Sequence, residues 1–166
     1  MLRSDGSIWG MSKEANAAFT AAGINVDRIV QTMTVPGHDV AASAGTHDKD
    51  GVDSDGNAYS VCVDLSVHHP TPLDDDEVKT VLSTVASHGF FPFYRRPGMD
   101  GWPAQDELHI HAVYAGSPMK PECQEQIHSG LRGRNGLVGD GVESFWQPSE
   151  EQQDLIRELY LSCNPA

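Results

Sequence analysis

The segment Glu107-Leu108-His109-Ile110-His111-Ala112-Val113-Tyr114 carries the residue types best suited to chemistry. Side chains alternate across a strand, so His109 and His111 share a face with Glu107, and Asp106 stands beside it. Neutral imidazole nitrogens next to a carboxylate can supply a metal ligand and a proton-transfer group. A strand that needed only to pack would more simply carry Val or Thr there. Two further residues join them. His47 closes Ala44-Gly45-Thr46-His47, just before an acidic loop, and Asp64 interrupts Ser60-Val61-Cys62-Val63-Asp64-Leu65. A carboxylate among Val, Cys and Leu is costly if buried and unpaired, and a metal ion would remove that cost. Zinc takes neutral His nitrogens and carboxylate oxygens, and a catalytic zinc keeps three protein ligands and an open position. His47, Asp64 and either His111 or His109 are the candidate set.

These residues need elements to position them. Ser12 to Ala22 reads as a helix capped by Ser12 and stopped by Gly23, and Asp27 to Val35 reads as a strand broken by Pro36-Gly37. Asp48 to Asn57 is a polar loop. Tyr59 to Val67 alternates as a strand, with Tyr59, Val61, Val63, Leu65 and Val67 on its apolar face and Ser60, Cys62, Asp64 and Ser66 on the other. Leu73 to His88 is the clearest helix: four acids suit its N-terminal dipole, Val78, Val81, Leu82 and Val85 recur at helical spacing, and Gly89 ends it. Phe90 to Tyr94 is a short aromatic strand, Arg95 to Gln105 a loop, and Glu107 to Ala115 the histidine strand. Pro121 to Leu131 reads as a helix, residues 133–147 as irregular, and Ser149 caps a last helix to about Ser162, with Gln152 as its capping-box partner. Helices mixed with antiparallel strands indicate an α+β fold with a central antiparallel sheet.

The chain has 166 residues, which suits one domain able to bury a core without staples. Its 24 acidic against 11 basic side chains give a net charge of -13. That balance argues against nucleic acid and anionic membranes as partners. Cys62, Cys123 and Cys163 form no C-x-x-C, which excludes a cysteine zinc ribbon, and their odd number does not suggest a full disulfide framework. The N-terminus has no apolar leader and no run reaches membrane-spanning length, so the chain as given is expected to be cytoplasmic, or exported by means it does not display.

The set resembles the superfamily of zinc D-Ala-D-Ala peptidases and the Hedgehog signalling domain. Gly45-x-His47 matches its first motif, Ser60-x-Cys62-x-Asp64-Leu65 the second, and His109-Ile110-His111 the downstream His-x-His. The segment between His47 and Asp64 is longer than the family's, which reads as an insertion in the connecting loop. Asp53 has the family spacing but lacks the surrounding frame, so Asp64 is taken as the ligand. The resemblance implies one domain of Hedgehog/DD-peptidase type over residues 1–166, with a catalytic zinc on His47, Asp64 and His111. It implies a carboxypeptidase-like metallopeptidase that hydrolyses amide bonds in small or D-amino-acid-containing peptides, such as peptidoglycan stems. His109, Glu107 or Asp106 would then carry protons, and Arg95 and Arg96 could hold a substrate carboxylate. An acid-x-x-His reading makes His109 the ligand and Asp106 the base. A non-catalytic zinc module of the same fold is the alternative function.

The Asp48–Asn57 loop resembles half of a calcium site, but Ala58 stands where an EF-hand needs Gly and no closing Glu follows. Cys62, inside a strand and away from any helix N-terminus, reads as a small packed residue and not a nucleophile.

Overall fold

The computed structural model describes residues 2–35, 45–98, 107–137 and 144–165. The chain runs α1 (Lys13–Ala22), β1 (Ile29–Gln31), β2 (Gly51–Val52), β3 (Ala58–Tyr59), β4 (Cys62–Ser66), α2 (Asp75–Ala86), β5 (Phe90–Arg95), β6 (His109–Tyr114), α3 (Pro121–Leu131) and α4 (Glu150–Cys163). Strands β1-β4-β6-β5 form one antiparallel sheet in that order, while β2 and β3 pair as a separate small hairpin. The result is a small α+β domain, and among the described residues no helix is long and apolar enough to cross a membrane.

Helices cover both faces of the sheet, and the period-two pattern sorts side chains between them. Val63, Leu65, Ile110, Ala112, Phe90 and Tyr114 pack against Ala15 and Phe19 of α1 and Val78, Leu82 and Val85 of α2. On the opposite face Cys62, Val113, Phe91 and Phe93 meet Cys123 and Ile127 of α3 and Ile156 and Tyr160 of α4. Complete burial of Leu65, Ile110 and Ile127 contributes about 1.5–3 kcal/mol each. α3 lies so close to the sheet that a Cβ at Gly130 would run into the Phe91 ring.

The helix ends follow local chemistry. Ser12 Oγ accepts from Ala15 N, and both Asp74/Glu77 and Ser149/Gln152 form reciprocal capping boxes. Two strand assignments change. The expected strand 27–35 is a 3-10 turn at Val26–Arg28 followed by only Ile29–Gln31, with an irregular register against β4, because Asn25 caps the turn through Asp27 N. The expected strand 59–67 breaks at Ser60, where Ser60 N bonds to Gly10 O and Ser60 Oγ accepts from Cys62 N. Tyr59 and Val61 therefore join the α3/α4 side and not the face of Val63 and Leu65. Arg95 is the last residue of β5 and does not belong to the loop after it.

Candidate metal centre

Antiparallel pairing sets Asp64 of β4 directly across from His111 of β6, and Ser66 across from His109. All four project from the sheet face that α3 covers. His47 arrives from outside the sheet, on the turn before β2. Its loop is fastened by Lys120, the N-cap residue of α3. Lys120 Nζ donates to Thr46 O and Asp48 O, both at 2.7 Å, and pairs with Asp50 Oδ1 at 3.1 Å. The Asp50 carboxylate, wholly buried, also accepts from Val61 N at 2.7 Å and Lys120 N at 2.8 Å. These donors offset its desolvation and hold the loop against both β4 and α3.

The side chains converge on Asp64. His47 Nε2 lies 3.1 Å from Oδ2, His111 Nδ1 2.8 Å from Oδ1, and His109 Nε2 3.8 Å from Oδ1. The ligand atoms of His47, Asp64 and His111 all lie within 4.8 Å of one another, and all three residues are buried. They could hold a metal ion.

The other nitrogen of each histidine faces an oxygen: His47 Nδ1 meets Thr32 O at 2.7 Å, His109 Nδ1 meets Glu107 O at 2.9 Å, and His111 Nε2 meets Gln126 Oε1 at 3.0 Å. The Thr32 and Glu107 carbonyls only accept, so His47 Nδ1 and His109 Nδ1 carry hydrogens, while His111 lies between Asp64 Oδ1 and Gln126 Oε1 and donates to one of them when neutral. A neutral imidazole has one N–H, so neutral His47 and His109 would each turn a lone pair toward the carboxylate. Lone pairs aimed at an anion require a cation between them, whether a proton or a metal.

The titration behaviour expresses the same conflict. Burial pushes the Asp64 carboxyl up, but the His47 charge and hydrogen bonds from His111 and His47 outweigh it, holding Asp64 well below the carboxylate range. For His47, burial works against the charged form, but Asp64 raises it above its ordinary value. Burial dominates at His111 and takes it down to about 4, and the neighbouring His47 charge works in the same direction. Without a metal, a proton at the centre therefore favours His47 over His111. One of the two short His111 contacts then lacks a hydrogen.

The other expected site residues separate. Asp106 lies outside the described residues. Glu107 precedes β6 and is exposed, and it is its carbonyl that meets His109. Arg95 and Arg96 fall on opposite faces. The Arg95 guanidinium donates to Asn135 O and stacks 4.9 Å from the Phe93 ring centre, and at 2 % exposure it offers little to a ligand from solvent. Arg96 stands 4.4 Å over Phe145, which packs against Tyr94. The acids of the Asp48–Asn57 segment serve the hairpin instead of converging as a calcium site: Asp50 binds Lys120, Asp53 accepts from Asp55 N, Asn57 N and Lys13 N, and Asp55 pairs with Lys13. Among the described residues, His47, Asp64 and His111 are the one cluster spaced for a metal.

Sequence reasoning missed Gln126, Thr32 and the Lys120–Asp50 clamp. Gln126 had a usable signal, since a polar residue sits beside Cys123, Ile127 and Gly130 on the buried stripe of α3. Comparison with protein-family models gives no match, and comparison with curated proteins and with solved structures gives no significant match.

Proposed function

We propose that this chain is a zinc-dependent hydrolase of amide bonds in small or D-amino-acid-containing peptides, with cell-wall peptide stems as the substrate class. The observation that carries the metal is the buried convergence of His47, Asp64 and His111, whose ligand atoms all lie within 4.8 Å of one another, with an oxygen behind each histidine ring. The peptide substrate rests on the resemblance of the His47, Asp64 and His-x-His segments. His47, Asp64 and His111 would hold the ion. Zinc, when bound, supplies Lewis acidity that acidifies water and polarises a carbonyl. His109 is the proton carrier: its side chain is 15 % exposed against 2 % for His47 and 6 % for His111, and Nε2 faces the centre. It takes a proton from the attacking water and returns it to the departing amine, with Glu107 O fixing its ring. Asp106 and Glu107 are the alternative carriers.

The approach of His109 Nε2 to Asp64 also supports a second reading, in which His109 is a fourth ligand and closes a non-catalytic centre in a binding module. Purified protein assayed for metal and for cleavage of muropeptides and D-Ala-D-Ala peptides separates the two. The hydrolase reading expects stoichiometric zinc, cleavage, and a fall of ~10²–10⁴-fold in kcat/KM for His109→Ala with zinc retained. Zinc without cleavage, together with zinc loss in His109→Ala, sinks the enzyme and favours the closed centre. No zinc binding sinks both.

A further inference from the structure

The metal centre makes no use of Cys62 and Cys123, the two free cysteines behind it. We propose that they are a redox-modification site: small oxidised disulfides of the glutathione class convert them to an intrachain disulfide that ties β4 to α3. Their sulfurs are 3.6 Å apart and wholly buried, across a sequence separation of 61 residues. A disulfide needs the sulfurs about 1.5 Å closer, at a bond length of ~2.05 Å. The balance is complete: two S–H bonds break and one S–S bond forms. Two electrons and two protons pass to oxidised glutathione, whose own S–S bond breaks to leave two thiols.

The thiols are also oriented polar groups. Cys123 Sγ donates to Thr46 O at 3.4 Å, on the peptide next to His47. Cys62 Sγ donates to Gln126 Oε1 at 3.9 Å, the atom that holds His111, and Cys62 shares its strand face with Asp64. The pair thus adjoins the supports of all three ligands. Both sulfurs are wholly buried, so a disulfide from solution cannot reach them in the folded protein and exchange there is slow. The bridge forms as α3 docks during folding, and it records the redox state of the compartment in which the chain folds. Its effect on the centre rests on the metal reading above. A thiol is a weak donor, so losing two S–H bonds matters less than covalently holding Gln126 and Asp64 in place. The oxidised form therefore releases zinc more slowly.

The test refolds the reduced, denatured full chain without metal in glutathione buffers of graded ratio, followed by intact mass and peptide mapping. The expected product has lost two hydrogens, links Cys62 to Cys123, and leaves Cys163 free. Its Tm is higher than that of the reduced form by roughly 5–10 °C. Cys163→Ser must bridge as fully as the parent, and Cys62→Ala and Cys123→Ala must abolish the shift. Bridges through Cys163, or a folded chain still fully reduced in the most oxidising buffer, overturn the proposal. Zinc release to a chelator is then compared between the two forms, with ~10-fold slower release expected after oxidation. Equal release, or no zinc uptake by either form, overturns the coupling. The mapped bridge stands or falls on the mass data alone, independently of the metal.

Discussion

At the residue scale the centre is defined by where its hydrogens are. Gln126 Oε1, 3.0 Å from His111 Nε2, can accept its N–H and so free Nδ1 toward Asp64 for a metal. Gln126→Leu removes that acceptor and should weaken zinc binding ~10–100-fold, while Gln126→Glu keeps an acceptor and should retain most of the affinity, read by chelator competition. Similar affinities for Leu and Glu variants would refute this role. The shifted histidines also set a pH profile for the metal-free protein. His47 is raised, so its contribution is complete below 6.5 and lost as pH rises through its folded value. His111 is lowered to about 4, so the unfolded chain gains a proton first and stability falls as pH drops from 6.5 toward 4. Asp64 is lowered, so its contribution is present above 3.8 and lost at pH below that. Together these groups place a stability maximum near pH 6.5. The net charge of -13 relaxes on acidification and masks part of the acid limb. The profile should therefore be read as a difference between the parent and His111→Asn. A parent-minus-variant difference that is flat from pH 7 to pH 4 would count against the His111 assignment.

At the element scale two strands and one helix do the positioning. β4 and β6 set Asp64 opposite His111 without help from the loops. α3 closes the face and brings Gln126 and the Lys120 clamp. Its close seating depends on Gly130, and Gly130→Ala should cost about 1–3 kcal/mol by forcing helix and sheet apart. Chemical denaturation reads that loss, and an unchanged midpoint would mean the helix adjusts freely. Most helices were legible because their signals are local: Ser12, Asp74 and Ser149 cap within their own turn. The strand expected at 27–35 gives way to a local cap by Asn25, and that at 59–67 breaks where a distant group competes for the backbone. Ser60 leaves the strand because Gly10 O, far away in sequence, takes its N–H.

At the scale of the whole molecule, a metal that binds only the folded chain should raise its stability. At free zinc 100-fold above Kd the gain is about 2.7 kcal/mol, or roughly 5–10 °C in Tm for a domain of this size, reversed by chelator. Scanning calorimetry with zinc, with calcium and with chelator checks this, and calcium should give no comparable shift, because the acids of the hairpin are engaged in ion pairs and turn caps. The amino-acid sequence alone determined the α+β class and most helix limits, and it offered His47, Asp64 and either His111 or His109 as the candidate set. Alternation, capping and the cost of a buried carboxylate are all written in local residue types. Only the tertiary structure decided that Arg95 and Arg96 fall on opposite faces, that Gln126 and Thr32 stand behind the histidine rings, and that two thiols meet behind the centre. Those facts depend on which helix face meets which sheet face, and that is settled by packing between segments far apart in the chain. The His-Ile-His strand offered a candidate metal ligand. The oxygens behind the rings, which only packing supplies, turn one nitrogen of His47 and of His109 toward Asp64.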